Sequence, residues 1–413
     1  MYTLEKLQEL DAQDPLARYR DEFELADGLI YLDGNSLGPL PKRTKERVIK
    51  GIDVEWGTDL ITSWNKHGWM NKPHDLGDMI APIVGADKGT IKVGDSTSVN
   101  VFKSVAAALK IAKSGRSIVL SDTANFPTDL YMIQGLQELI GKENCELKVV
   151  DETEVEANLT EEIAVLLLNE VNFRTGRKYD MHAITQQAQA KGIIVIWDLC
   201  HSAGAFPVDL KGTNTDFAIG CGYKYLNGGP GAPAFIYVAD RHKDAVIQPL
   251  SGWHGHKSPF EFSTEYVPSD TQTRFVVGTP PVLSLLALEA GLEIWQDVDM
   301  QQLREKSLNL TDAFIELVET RCAEYGFTLA TPRERAQRGS QVSFAHKDGY
   351  PIMQALIADK VIGDFRAPNL LRFGFTPLYT SYQDVWDAVE RLHVIMADKK
   401  YDKPEYRVKA AVT

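Results

Sequence analysis

A chain of 413 residues exceeds the usual single-domain size and has room for two domains around one site. With 44% hydrophobic and 24% charged residues, and no low-complexity tract, it has the make-up of an ordinary globular protein with a normal core. The net charge of -13 argues against nucleic acid or an anionic membrane as the main partner, because both reward clustered Lys and Arg.

Met1 opens directly into the polar stretch TLEKLQELDAQDP, without an apolar signal region, and no run approaches the roughly 18 apolar residues of a membrane span. The expectation is a cytoplasmic protein that engages no membrane. Cys145, Cys200, Cys221 and Cys322 form no CxxC pair, which disfavours structural zinc and a disulfide framework and fits a reducing compartment. The N-terminal segment carries a helix and an Asp-Gly-Asn turn at 33–35. The middle of the chain then alternates short β-rich runs with helical patterns. Strands are predicted at 90–94, 117–121, 146–150, 163–168, 192–198, 217–220 and 234–238, with helical periodicity at 101–113, 129–140 and 183–190. This alternation predicts an α/β domain with a mainly parallel sheet, spanning residues 50–290. After Pro280-Pro281 the character changes. Long helices are expected at 282–295 and 303–322, short strands at 327–330, 341–344 and 371–375, and an amphipathic helix at 382–398. Residues 291–413 together with 1–49 are read as a smaller α+β domain.

Chemistry enters with two residues. Asp198 ends the strand GIIVIWDL, and Lys224 lies just past the next strand, in DFAIGCGYK. Adjacent parallel strands would bring both to the carboxyl edge of the sheet, where α/β proteins place ligands. A lysine amine and a carboxylate there suit pyridoxal phosphate: the amine joins the aldehyde, and the carboxylate keeps the pyridine nitrogen protonated. A salt bridge at the sheet edge is the competing reading. The stretch Gly94-Asp-Ser-Thr-Ser98 follows a strand and opens a helix, so its hydroxyls and N–H groups could cup a phosphate or serve as plain N-caps. Phe126 and Asp129, in Asn125-Phe-Pro-Thr-Asp129, could lie on a cofactor ring and beside its nitrogen, or be a core residue and a helix-capping one. Trp253-His-Gly-His256 resembles a metal pair without further ligands, and no metal is expected. Arg372, in LLRFGF, needs an anionic partner: a substrate carboxylate or a structural carboxylate.

Taken together the motifs are similar to those of the kynureninase family. YLDGNSLG (31–38), SWNKHGW (63–69), TANFPTD (123–129), WDLCHSAGA (197–205), GCGYKYLNGGPGAP (220–233), LSGWHGH (250–256), GTPP (278–281) and LRFGFTPLYTS (371–381) carry the resemblance over nearly the whole chain. It implies the type I pyridoxal-phosphate fold, like that of aspartate aminotransferase. It also implies hydrolytic Cβ–Cγ cleavage of L-kynurenine to anthranilate and L-alanine in tryptophan degradation, with 3-hydroxykynurenine less favoured. Lys224 would carry the cofactor and move the Cα proton, Asp198 would bind the pyridine nitrogen, and Asp129 and Phe126 would flank the ring. Thr97, Ser98, His201 and Tyr223 would contact the cofactor, Asn169 would add a polar contact, and Tyr223 is the candidate proton donor for later steps. Trp253 and Thr279 would reach the phosphate from the other subunit of a homodimer with shared active sites. Arg372 would hold the substrate carboxylate, with Trp64 and Asn35 toward its aromatic end. The alternative is another enzyme of this fold, a β-lyase, cysteine desulfurase or aminotransferase. A desulfurase would need a loop cysteine near the site, whereas Cys322 falls within a predicted helix.

Overall fold

The computed structural model describes residues 2–409. They form two compact units. The larger comprises Arg43–Asn172 and Tyr179–Gln296; the smaller takes the chain up to Lys42, the short excursion Phe173–Lys178, and everything from Asp297 onward.

The larger unit is built on a seven-stranded sheet. Its strands are β2 (Ile91–Val93), β3 (Ile118–Asp122), β4 (Glu146–Val150), β5 (Ile163–Asn169), β6 (Ile194–Asp198), β7 (Phe217–Gly220) and β8 (Phe235–Val238), β1 lying in the smaller unit as Ile30–Tyr31. They run in the order β2-β8-β7-β6-β5-β3-β4. Neighbours from β7 through β4 are parallel, and β8 is antiparallel to both β7 and β2. Every residue of β5 and β7 is buried, which explains why these strands read as continuous apolar runs: helices cover both faces. Element boundaries move by a few residues for local reasons. The strand expected from 192 begins at Ile194 because Gly192 sits at φ +73° and still belongs to the preceding turn. The helix expected from 101 begins at Thr97, since the Ser96 side chain accepts the Val99 N–H and caps it there.

In the smaller unit β9 (Thr328–Leu329), β10 (Gln341–Ala345), β12 (Asp364–Arg366) and β13 (Leu370–Gly374) make an antiparallel sheet in the order β12-β13-β10-β9. The remaining pair joins β1 in parallel to β11 (Val361–Ile362), tying the N-terminal segment to this unit. Helices Leu4–Ala12, Met300–Arg321 and Tyr382–Ala397 pack together, and Phe314 seats its ring against Phe373 and Phe375 at 4.9 and 5.1 Å. Asp299 starts the second of these helices earlier than expected by accepting the Gln301 and Gln302 N–H groups. Helix Gly349–Ala358 and strands β1, β11 and β12 have no counterpart among the predicted elements. No helix among the described residues is long and apolar enough to cross a membrane.

Candidate active site

Strand register assembles the site in the larger unit. Asn169 pairs with Asp198 across β5 and β6, and Asp198 with Ile219 across β6 and β7, so these ends share one edge. Asp198 is buried, with 4% of its surface exposed. Its Oδ1 accepts the Cys200 N–H at 2.6 Å, and its Oδ2 accepts Asn169 Nδ2 at 2.6 Å. The same Nδ2 lies 3.4 Å from Asp129 Oδ2, while Asn169 Oδ1 accepts the Phe126 N–H at 2.7 Å. One amide therefore sets two carboxyls and the backbone of the aromatic residue.

Two carboxyls in so dry a place cannot both ionise cheaply. Burial, and then the Asp198 charge, pushes Asp129 well above the carboxylate range, so Asp129 holds the proton and offers it to Asp198. Burial lifts Asp198 as well, opposed by the hydrogen bonds from Cys200 and by the positive charge of Lys224. Among the described residues Asp198 makes no ion pair, which leaves a buried anion suited to a cationic ring nitrogen. Lys224 Nζ lies 3.0 Å from His201 Nε2, 5.9 Å from the centre of the Phe126 ring and 5.8 Å from that of Tyr223. Burial raises the Tyr223 phenol far above its ordinary range, so it stays a neutral hydroxyl at any working pH.

Opposite these strand ends the helix Thr97–Ile111 presents its N-terminus. Thr97 Oγ1 is 3.8 Å from Cys200 Sγ, which places the first turn beside the end of β6. Ser98 follows in that turn, and the leading N–H groups have no helical acceptor of their own. Asp95 takes a left-handed φ of +54° to make the turn, and the buried Lys103 amine holds it, donating to Asp95 Oδ2 at 2.8 Å and to the Phe275 carbonyl at 2.6 Å. A carboxylate for the ring nitrogen, an amine for the aldehyde, an aromatic face and a helix N-terminus for the phosphate are the parts pyridoxal phosphate requires.

A second cluster joins Trp64, Trp253 and Thr279. The two indoles meet edge to face at 6.0 Å, and Trp253 Nε1 donates to Thr279 Oγ1 at 3.3 Å. Trp69 backs Trp64 at 6.1 Å and donates its own N–H to the buried Glu55 at 2.8 Å, a support the sequence did not announce. The stretch after Ser251 is tied back to the body of the larger unit. Ser269 N–H donates to the Gly255 carbonyl at 2.9 Å, the Arg274 guanidinium bonds the carbonyls of Ser269 and Val246, and His254 is buried. What stays outside is its tip, with Phe260 and Phe262 exposed at 66% and 83%. The histidines of Trp253-His-Gly-His256 turn to backbone carbonyls, His254 to Met70 and His256 to Glu265, each at 3.2 Å.

In the smaller unit Arg372 is 1% exposed and already paired. Its Nε donates to Asp364 Oδ1 at 2.8 Å, a second nitrogen meets Asp364 Oδ2 and Ser36 Oγ, and the third donates to the Phe173 carbonyl at 2.6 Å. The structural carboxylate left open by the sequence is therefore Asp364, opposite Arg372 in the β12–β13 register. Asn35 is buried and donates to Gln341 Oε1 at 3.2 Å. A Cβ on Gly374 would fall 2.0 Å from Asn35 Oδ1, so only glycine fits there.

Residues 303–392 match the family model of the kynureninase C-terminal domain. The chain is 52% identical to the kynureninase of Deinococcus radiodurans over 398 residues, 95% of this chain and 96% of that one. It is 48% identical to the kynureninase of Burkholderia pseudomallei over 417 residues, the full length of both. The chain belongs to the kynureninase family. Among solved structures, an apo cysteine desulfurase from Thermococcus onnurineus superposes with a TM-score of 0.77 at 18% identity, covering 92% of this chain and 98% of that one. That likeness is one of fold, the type I fold of pyridoxal-phosphate enzymes. Kynurenine cleavage with pyridoxal phosphate is the family's reaction.

The buried cluster around Arg372 carries a pH signature. Burial, then the Asp364 charge, pushes Asp33 up to about 7, against about 3.9 in an unfolded chain. A raised carboxyl binds its proton more tightly folded than unfolded, so its stabilisation is complete below about pH 4 and is lost as pH climbs through 7. Asp33→Asn removes that loss. Its thermal midpoint, relative to the unsubstituted protein, should therefore be higher at pH 8 than at pH 5.5; an equal difference at both would show Asp33 ionised throughout.

Proposed function

We propose that this chain hydrolyses L-kynurenine to anthranilate and L-alanine in tryptophan degradation, using the cluster around Asp198 and Lys224. The observation that carries the reading is the buried Asp129–Asn169–Asp198 network beside a lysine amine, in a chain about half identical to kynureninases over its full length. Pyridoxal phosphate, when bound, supplies an electron sink for carbanion chemistry at the substrate's Cα and Cβ. The chain's residues do the rest. Asp198 would hold the proton on the pyridine nitrogen, with Asn169 orienting Asp198 and Phe126 offering its ring to the cofactor. The Lys224 amine, within hydrogen-bonding reach of His201, moves the Cα proton. Tyr223, kept neutral by burial, donates a proton in the later steps, and water adds to the γ-carbonyl before the Cβ–Cγ bond breaks. Thr97 and Ser98 receive the phosphate at their helix N-terminus. Arg372, which engages Asp364, Ser36 and the Phe173 carbonyl with four of its five guanidinium N–H groups, is assigned the substrate carboxylate, and Asn35 and Trp64 the aromatic end. Four free, buried cysteines support a cytoplasmic setting.

Asp198→Asn keeps the shape of the side chain and loses its charge. The variant should still bind pyridoxal phosphate but release anthranilate, followed by its fluorescence, on the order of 100-fold more slowly, the scale of one preorganised electrostatic group. A near-normal rate would move the ring's counter-charge to Asp129.

We infer a preference for L-kynurenine over its 3-hydroxy form, because Thr279 stands where family members that prefer the 3-hydroxy form resemble one another in carrying asparagine, a better partner for a ring hydroxyl. One such bond is worth about 1–3 kcal/mol. The kcat/KM ratio of the two substrates measures it, and a higher value for the hydroxylated one overturns the inference.

The assembly we propose is a homodimer in which Trp253 and Thr279 serve the partner's phosphate site. The exposed aromatic tip at Phe260 and Phe262, beside Trp253, supports a covering partner. Lys224→Ala and a Trp253 substitution that blocks cofactor binding each leave a homodimer inactive. Remixed at equal amounts, half the dimers are mixed and each holds one intact site, so about one quarter of wild-type activity should return. If subunit exchange is verified and no activity returns, each site belongs to one chain.

A further inference from the structure

Cys200 and Cys221 stand just beyond β6 and β7, and the proposed reaction uses neither side chain. Asp198 and Ile219 are partners across these strands, and the Leu199 N–H donates to the Ile219 carbonyl at 2.8 Å, which carries the pairing one step further. Each cysteine lies two residues past the same rung. Neighbouring strands run about 4.8 Å apart, inside the roughly 4.4–6.8 Å Cα separation that a disulfide accepts. Cys221 Sγ donates to the Cys200 carbonyl at 3.8 Å, so one thiol lies on the backbone of the other cysteine. Both are free, and both are buried, at 9% and 3% exposed. The Cys200 sulfur reaches the mouth of the candidate phosphate cup through its contact with Thr97 Oγ1.

We propose that Cys200 and Cys221 are a modification site, a dithiol that hydrogen peroxide converts to a reversible disulfide at the floor of the cofactor pocket. The first sulfur attacks the peroxide, the O–O bond breaks, and a sulfenic acid and one water result. The second sulfur then displaces hydroxide from the first: the S–O bond breaks, the S–S bond forms, and the hydroxide leaves with the second thiol's proton as another water. Two thiols are oxidised and one peroxide is reduced, with no further reactant. Charge helps start the sequence. Burial raises Cys221, but the hydrogen bond from Cys200 and the nearby Lys224 charge outweigh it and hold Cys221 below the usual thiol range, whereas Cys200 is held well above it. The β6–β7 register and the contact of the Cys221 sulfur with the Cys200 carbonyl set that nucleophile beside its resolving partner.

The same residues make the modification consequential. The Cys200 N–H holds Asp198, and its sulfur touches the helix that carries Thr97 and Ser98, so a covalent bridge would fasten both to the end of β7. The test treats the holoenzyme with a small excess of hydrogen peroxide, blocks remaining thiols, digests without reductant and identifies peptides by mass. The expected product is one linked pair carrying Cys200 and Cys221, two hydrogens lighter than the separate peptides, and lost on dithiothreitol treatment. Cys221→Ser and Cys200→Ser should each yield no such link under the same dose. Recovery of both cysteines unlinked in the wild-type chain, whether still thiols or oxidised separately to sulfinic acids, overturns the proposal. So does linkage of either one to Cys145 or Cys322 instead.

Discussion

The site depends on strand register. Asn169, Asp198 and Ile219 occupy one rung across β5, β6 and β7, and each chemical group is placed by where its strand stops. A slip of one residue in β6 would turn Asp198 to the other face of the sheet and bring Trp197 into its position. The slip is resisted by burial: β5 and β7 are enclosed throughout, and Trp197 is fully buried with its indole N–H on Thr185 at 2.9 Å. The apolar sequence of these strands therefore does more than stabilise a core. It fixes the separation between a carboxylate and the amide that orients it.

Within that frame the electrostatics are arranged by exclusion. Asp129 and Asp198 sit too close, in too little water, for two negative charges, and a single proton settles on Asp129. The Arg372 cluster works the other way round. There two guanidiniums and a carboxylate, Arg372, Arg366 and Asp364, are brought together by the β12–β13 hairpin, and the Arg372 guanidinium is satisfied in several directions at once. One site keeps an anion without an ion pair, which suits a cationic ring; the other surrounds its cation.

How much of this was legible depended on how local the signal was. The parallel sheet could be read because its strands are runs of Val, Ile and Leu separated by helical periods. Asp198 and Lys224 could be read because each directly follows such a run. Asp364 could not, since β12 is three residues long and carries two charges, and only the hairpin register sets it opposite Arg372. Helix Gly349–Ala358 was hidden by its opening Gly-Tyr-Pro, which reads as a turn although proline is tolerated in a first helical turn. The excursion Phe173–Lys178, which lies with the smaller unit, has no local mark at all. Asn169 could be seen at a strand end, but its part as the link between Asp129, Asp198 and Phe126 is a matter of three-dimensional convergence. Glu55 was missed for a similar reason: a carboxylate in a charged helix says nothing of the indole it will hold.

Lys103 has a consequence for how this protein can vary. Most of the other buried residues of the helix Thr97–Ile111 are alanines and valines, whose burial any small apolar residue could share. Lys103 cannot be exchanged so freely, because its ammonium ends on two chain segments remote in sequence: Asp95 in the anion turn and the Phe275 carbonyl past the Trp253 excursion. An apolar replacement would strand both acceptors, and arginine would need more room than a residue 1% exposed is given. Divergence at this position therefore requires compensation in two distant segments at once. A drifting lineage rarely finds such changes together, so the amine acts as a historical constraint as well as a structural one.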